Sequence, residues 1–260
     1  MALINKLTAI ADAIRSKTGS TEPLTLDDMA EAINGISVGG DDETGVLESV
    51  LDRSVASITS NATSIGFAAF YGCSNLTVAN FPALTTVGEF AFNTCSNLAE
   101  INAPLITTIK GDAFSASGIL SVDFAQLTTI RGGAFSACSK LKSVHLPLVS
   151  SMGSSAFNGC TALSTVDLSS VTSLGNGCFA YCSTLKTFIL RSNTLCSLSN
   201  VNVFTGTPIT NGTGYIYVPR ALIDSYKSDT NWSNFANQFR ALEDYTVDGT
   251  ITGELDESKI

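Results

Sequence analysis

Leu76-Thr77-Val78-Ala79-Asn80-Phe81-Pro82-Ala83-Leu84-Thr85-Thr86-Val87-Gly88-Glu89-Phe90-Ala91-Phe92-Asn93-Thr94-Cys95 is one copy of a unit that the chain writes repeatedly. Its last phenylalanine recurs at Phe70, Phe92, Phe114, Phe135, Phe157 and Phe179, at spacings of 22, 22, 21, 22 and 22. Ala precedes the ring in every unit but the last, where Cys178 replaces it, and Cys73, Cys95, Cys138, Cys160 and Cys182 follow three residues later. The apolar set Leu76, Ala79, Phe81, Leu84 and Val87 returns as Leu98, Ile101, Ala103, Ile106 and Ile109, and again as Leu141, Val144, Leu146, Val149 and Met152. A period of this length marks a supersecondary unit that cannot bury its own apolar face and must stack on its neighbours. The sequence therefore predicts a solenoid, mainly β, whose function lies on an exposed surface.

Within a unit, the first apolar cluster alternates with period two and then meets Pro82, Pro104 or Pro147, so each coil opens with a short strand that proline stops. Gly88, Gly111, Gly132, Gly153 and Gly175 follow the second cluster, where either a left-handed backbone or close contact between coils requires a residue without Cβ. The Ala-Phe pair then points inward, and rings from successive coils are expected to form an aromatic column. The unit after Phe114 is one residue shorter, and Ser117-Gly118-Ile119 places that deletion in a turn. Of the seven cysteines, five form a column at the repeat interval and Cys178 stands where other units have a small Ala, which predicts buried free thiols over disulfides or zinc, Cys178 and Cys182 making the one close pair. Paired hydroxyls at Thr85-Thr86, Thr107-Thr108, Thr128-Thr129, Ser150-Ser151 and Thr172-Ser173 suit a turn-rich coil surface.

The unit Leu-x-x-Ile-x-Leu-Pro, Leu-x-x-Ile-Gly, Ala-Phe, Cys-x-x-Leu resembles the BspA-like leucine-rich repeats of bacterial surface proteins, from about Leu51 to Pro219. The resemblance implies a leucine-rich-repeat solenoid that serves as a binding and adhesion surface, with no shared catalytic motif; no cofactor is expected. The sixth unit departs from the pattern, being longer between Leu185 and Phe204 and holding Asn193, Cys196 and Asn200.

Outside the repeats the organisation divides into residues 1–36, a linker 37–50, the solenoid 51–219, a cap 220–244 and a tail 245–260. Leu3, Leu7, Ile10 and Ile14 form one helical stripe, and Leu26, Met29, Ala30 and Ile33 a second behind the capping box of Thr25 and Asp28. So short a hairpin needs something to dock on. Lys6, Asp12 and Arg15 interrupt the apolar run, which argues against a secretory signal and for cytoplasmic synthesis. This head is similar to the short N-terminal module of tail-associated proteins in phages and prophages of gut bacteria. That similarity implies a phage tail component as structural partner, a homo-oligomer assembled through residues 1–36, and residence in the virion tail; the alternative is the bacterial cell surface. At the other end, Tyr215 to Pro219 reads as a last strand and 220–244 as a helical cap over the open coil, followed by a disordered tail.

Composition narrows the partners. A net charge of −9, with 14 Lys and Arg among 260 residues, opposes binding to phosphate backbones, so no nucleic acid is expected. No apolar stretch reaches the ~18 residues needed to span a bilayer, so no membrane insertion is expected. The resemblance to bacterial surface repeats implies a bacterial surface glycan or protein as partner.

Aligned units place Asn80, Asn102, Asp123, His145, Asp167 and Ile189 in one outward column, with Val78, Glu100, Ser121, Ser143, Thr165 and Thr187 beside it. Successive members are expected about 4.8 Å apart. The candidate ligand-binding residues are therefore Asn80, Glu100, Asn102, Ser121, Asp123, Ser143, His145, Thr165, Asp167 and Thr187. His145, the only histidine, falls between two aspartates, an arrangement open to a solvated charge ladder, a divalent metal site, or a hydrolase built on Asp123, His145 and Asp167. The charge ladder is the expected reading; no metal and no catalytic residue is assigned.

Overall fold

The computed structural model describes residues 53–247 and 250–251. The helices read at 1–36, the linker at 37–50 and the end of the tail lie outside the described residues. Within them the chain is a stack of coils in which every coil contributes a longer strand and a two-residue strand, each pairing in parallel with its counterparts. The two-residue strands form one seven-stranded sheet from Ser64–Ile65 to Ser197–Leu198. The longer strands form a three-stranded sheet, Ser57–Thr59, Val78–Asn80 and Glu100–Asn102, and a six-stranded one from Ser121–Asp123 to Phe239–Ala241.

The expected continuous ladder of longer strands is thus divided between Glu100–Asn102 and Ser121–Asp123, at the unit that lacks a residue. The missing residue shifts the turn: Gly118 N–H donates to the carbonyl of Cys95 and Leu120 N–H to that of Ala99. Register recovers one strand later, with Thr108 opposite Thr129 and Ile109 opposite Ile130. The stack absorbs the deletion in one layer and keeps it in the other.

The aromatic column forms as expected. Consecutive rings from Phe70 to Phe179 lie 5.0–5.4 Å apart and within 9° of parallel, and each is fully buried. Phe204 continues the row beyond the irregular unit at 6.4 Å from Phe179. Phe81 and Phe188 meet the row edge-on from the strand side.

Of the two roles open to the glycines, close packing prevails. A Cβ on Gly88 would come within 2.6 Å of the Ile65 carbonyl oxygen, and one on Gly153 within 2.4 Å of the Gly132 nitrogen. The left-handed backbone falls elsewhere, two residues before and two after each ring. Non-glycine residues hold many of these places, among them Ala68, Phe90, Asp112 and Ser155 before the ring, and Thr94, Ala116, Ala137 and Tyr181 after it. The donors there bond to the next coil, as Ala137 N–H does to the Asn158 carbonyl at 2.6 Å. Inter-coil hydrogen bonding holds a conformation that L-residues resist by about 1–2 kcal/mol each.

All seven cysteines are free and buried. The thiols of Cys95, Cys138, Cys160 and Cys182 each donate to the carbonyl of a phenylalanine in the coil before, at 3.0–3.2 Å. Ser117, which replaces cysteine in the short unit, lies 3.4 Å from the Cys138 sulfur. The hydroxyl pairs work similarly: Thr85, Thr107, Thr128 and Thr172 donate to carbonyls one coil earlier. These polar columns bring a second donor to carbonyls that already accept a backbone N–H, filling the other lone pair of each.

Burial pushes the Cys138 thiol up to about 11 and Cys196 to about 12, and holds Cys95 and Cys178 further up still. The unfolded chain ionises its thiols near pH 9, so above that pH the unfolded state binds fewer protons than the folded one. Stability then falls as pH rises from about 9 toward 11, by up to about 1.4 kcal/mol per pH unit for each such thiol. Urea titrations at pH 8 and pH 10.5 check this. Cys138→Ser, which imitates Ser117, is expected to shrink the alkaline loss; a loss of the same size in that variant would show that other groups cause it.

The cap corrects the expectation of one helix over 220–244. It is a 3-10 turn Arg220–Leu222, an α-helix Ile223–Ser228, a 3-10 segment Trp232–Gln238, the strand Phe239–Ala241 and a final 3-10 turn Leu242–Asp244. Asp229 breaks the helix because its carboxylate accepts from Asn231 N–H and Trp232 N–H, a local alternative to helical bonding. The tail also departs from expectation at its start, where Thr246–Val247 pairs antiparallel with Thr250–Ile251.

Candidate functional site

The longer strands alternate between core and surface, since successive side chains on a strand point to opposite faces. Ser121–Asp123 and Ser143–His145 both read exposed, buried, exposed, with Val122 and Val144 turned inward. This alternation places the predicted residues on one outer face. Glu100, Asn102, Ser121, Asp123, Ser143, His145 and Thr165 are exposed; Asn80, Asp167 and Thr187 are half-buried.

The register brings them together in two groups. Asn80 is opposite Asn102 and Val78 opposite Glu100 in the first sheet. In the second, Asp123 is opposite His145, His145 opposite Asp167, Ser121 opposite Ser143, and Thr165 opposite Thr187. The division between the sheets separates Asn102 from Asp123, so the row is two segments rather than one. Asn102 Nδ2 donates to Asn80 Oδ1 at 2.7 Å, a side-chain rung parallel to the backbone ladder.

The row also ends sooner than the alignment implies. Ile189 and Tyr217 continue the column but are buried. Where the row stops, Arg191 Nε and a terminal guanidinium nitrogen each lie 2.7 Å from an Asp167 carboxylate oxygen, a bidentate pair. The Asp167 bond raises the Arg191 pKa further, against the opposing effect of partial burial. Sequence reasoning missed Arg191, although a signal existed: it follows Leu190 at the place of Pro82, Pro104 and Pro147 in other units.

This pair alters the chemistry expected around His145. Asp167 is committed to Arg191, and among the described residues no ion pair or hydrogen bond joins His145 to either aspartate. Ser143 and His145 share a face of the same strand without a hydrogen bond between them. The hydrolase arrangement of Asp123, His145 and Asp167 is therefore not assembled, because a base must be oriented by its partner and must reach its nucleophile. Among the described residues no three His, Cys, Asp or Glu side chains converge as a metal ion would require. What the surface offers is a regular series of hydroxyl, amide, carboxylate and imidazole groups one strand spacing apart, with Val78 adding an exposed apolar contact.

Comparison with known proteins agrees with this architecture. The model of the BspA type leucine rich repeat region matches in six copies over residues 53–129 and 107–216. The chain is similar to a leucine-rich repeat protein of T. pallidum, at 22% identity and a TM-score of 0.50, covering 68% of this chain and 85% of that one. It is also similar to a leucine-rich repeat protein from Bacteroides ovatus, at 20% identity and a TM-score of 0.35 over 60% of this chain and 59% of that one. A leucine rich cell surface protein from Faecalibacterium prausnitzii is similar at 18% identity and a TM-score of 0.35 over 73% of each chain. No curated protein matches the sequence significantly. With the repeat matched across most of the described coils, the chain belongs to the BspA-type leucine-rich repeat family.

Proposed function

We propose that the chain is a non-enzymatic recognition protein of the bacterial cell-surface adhesin type, binding a surface glycan or protein through the outer face of its longer strands. The observation that carries this reading is the exposed row Ser121, Ser143 and Thr165 beside Asp123 and His145, with Val122, Val144 and Val166 between them turned inward. Such a row matches an extended polymer better than a compact substrate, because its donors and acceptors repeat at a fixed interval. Family membership supports the cell surface as the place of action. The tail-attachment role rests only on the similarity of residues 1–36, outside the described residues, so the virion is the weaker reading.

The test is binding of the purified full chain to bacterial cells. The double variant Asp123→Ala/His145→Ala is expected to bind about tenfold more weakly, equivalent to about 1.4 kcal/mol, with an unchanged circular dichroism spectrum. Periodate treatment of the cells abolishes binding if the ligand is a glycan, and protease treatment does so if it is a protein. Equal binding by the wild type and the double variant would refute the strand face as the recognition surface.

A further inference from the structure

At the end of the stack nearest the start of the described chain, beside the sheet of two-residue strands, lies a cleft of about 350 Å³. Its floor runs over Gly66 and Gly88, and Lys110 stands where the next coil would repeat the glycine. Phe67 and Glu89 line its wall, with Ser64 and Thr86 alongside. Phe90 stands against Phe67, ring centroids 5.6 Å apart and planes tilted by 60°.

These two rings are not part of the core column. Phe70 and Phe92 are fully buried, whereas Phe67 and Phe90 are only half-buried. Nor does coil stacking call for them. At the position of Phe67 the other units carry Glu89, Gly111, Gly132, Ser154 and Asn176, and at that of Phe90 they carry Ala68, Asp112, Gly133, Ser155 and Gly177. Phe90 moreover has φ +56°, a backbone that a bulky side chain disfavours. A bulky ring thus occupies a left-handed position that every coil repeats and that the other units fill with small or short side chains.

The lining has the composition of a carbohydrate site: aromatic surface for the C–H face of a sugar, hydroxyls and a carboxylate to accept or bridge its OH groups, and an ammonium to donate. The volume is at the small end of ligand pockets, suiting a mono- or disaccharide. Glu89 and Lys110 together bring both signs of charge, which favours a neutral ligand over an ionic one. We propose that this cleft is a subsite for a neutral pyranoside stacked on Phe67, the one ring in its lining, with Phe90 packed against that ring and holding it in place. It lies on the other sheet from the strand-face row and stands or falls independently of it.

The experiment uses the full chain and saturation-transfer NMR with N-acetylglucosamine, galactose and glucose at tens of millimolar, and N-acetylneuraminic acid as the anionic comparison. At least one neutral sugar is expected to receive saturation on its ring C–H protons, with a dissociation constant in the millimolar range. Phe67→Ser removes the lining ring and should abolish the transfer, while Phe90→Gly, which removes only the ring packed against it and relieves the left-handed backbone, should weaken the transfer with a thermal midpoint that stays the same or rises. Ala137→Gly, a like change at an exposed left-handed position far from the cleft, and Asp123→Ala/His145→Ala should both retain it. Absence of transfer to every neutral sugar, transfer confined to the anionic sugar, or equal transfer in Phe67→Ser would each overturn the assignment.

Discussion

Phe135→Ala should destabilise the protein by about 3–5 kcal/mol and divide its unfolding into two transitions. Phe135 is fully buried, with Phe114 stacked on one side at 5.2 Å and 3° and Phe157 on the other at 5.2 Å and 9°. Truncation removes the ring's own burial and two stacking contacts, each worth about 0.5–1.5 kcal/mol beyond area. The neighbouring coils cannot close the gap, because their backbones are fixed by the hydrogen bonds Phe114 N–H to Ala134 O and Phe135 N–H to Ala156 O. In a stack where each unit touches only its neighbours, a central defect uncouples the coils before it from those after it. Urea unfolding followed by circular dichroism checks both the size and the splitting. A single transition displaced by under about 1 kcal/mol would mean that the rings contribute far less than core residues do.

Trp232→Ala is the second large effect, expected at about 3–5 kcal/mol but confined to the last coils. Trp232 is fully buried against Phe204, Tyr226, Phe235 and Phe239. Its indole N–H donates to the Cys196 carbonyl, while Tyr226 Oη accepts from Cys196 N–H at 3.0 Å. Two cap aromatics therefore satisfy both backbone groups of Cys196, just before the last two-residue strand. Losing the tryptophan opens a cavity and also leaves a buried carbonyl unpaired, which adds about 1–3 kcal/mol locally. Hydrogen exchange should show protection lost from Thr187–Leu190, Tyr215–Val218 and Phe239–Ala241 and retained around Phe92 and Phe114. Trp232→Phe, which keeps most of the packing and loses the bond, should fall between. Exchange that accelerates evenly along the whole stack would contradict a cap that acts through its nearest coil alone.

The features legible in the sequence were those set by the period itself. A ring every 22 residues must stack if the coils stack, and the thiol and hydroxyl columns follow the same register, so side-chain identity alone placed them. Features set by backbone geometry were less visible. The left-handed positions carry Ala68, Thr94, Ala137 and Tyr181, whose side chains give no sign of positive φ; only the inter-coil hydrogen bonds impose it. The glycines that suggested such a backbone proved to be contact points, as at Gly153. The cap misled because Leu222 and Tyr226, and then Trp232, Phe235, Phe239 and Leu242, have helical spacing, while Asp229 between them captures the N–H groups that a continuous helix would use.

The candidate site was legible to a similar depth. Alternation along Ser121–Asp123 and Ser143–His145 fixed which residues face outward, since period two leaves no choice once Val122 and Val144 are inside. Its limits were not legible. The division after Asn102 depends on how a turn absorbs one missing residue, and the closure at Asp167 depends on Arg191, which lies past the end of a strand and reaches back across one coil. The rings at Phe67 and Phe90 were equally hidden, because a repeat alignment draws attention to what recurs and not to the residue that breaks the pattern.

The most direct test of recognition by the outer strand face is an arginine scan of it, one substitution at a time at Ser121, Ser143, Thr165 and Thr187, with binding to bacterial cells as the readout. Arginine at Ser143 and Thr165, in the middle of the row, is predicted to abolish binding. Substitution at Ser121 and Thr187 should weaken it less, and Ser151→Arg on the opposite sheet should leave it intact. Full binding by Ser143→Arg and Thr165→Arg, or a loss equal to theirs in Ser151→Arg, would contradict the account.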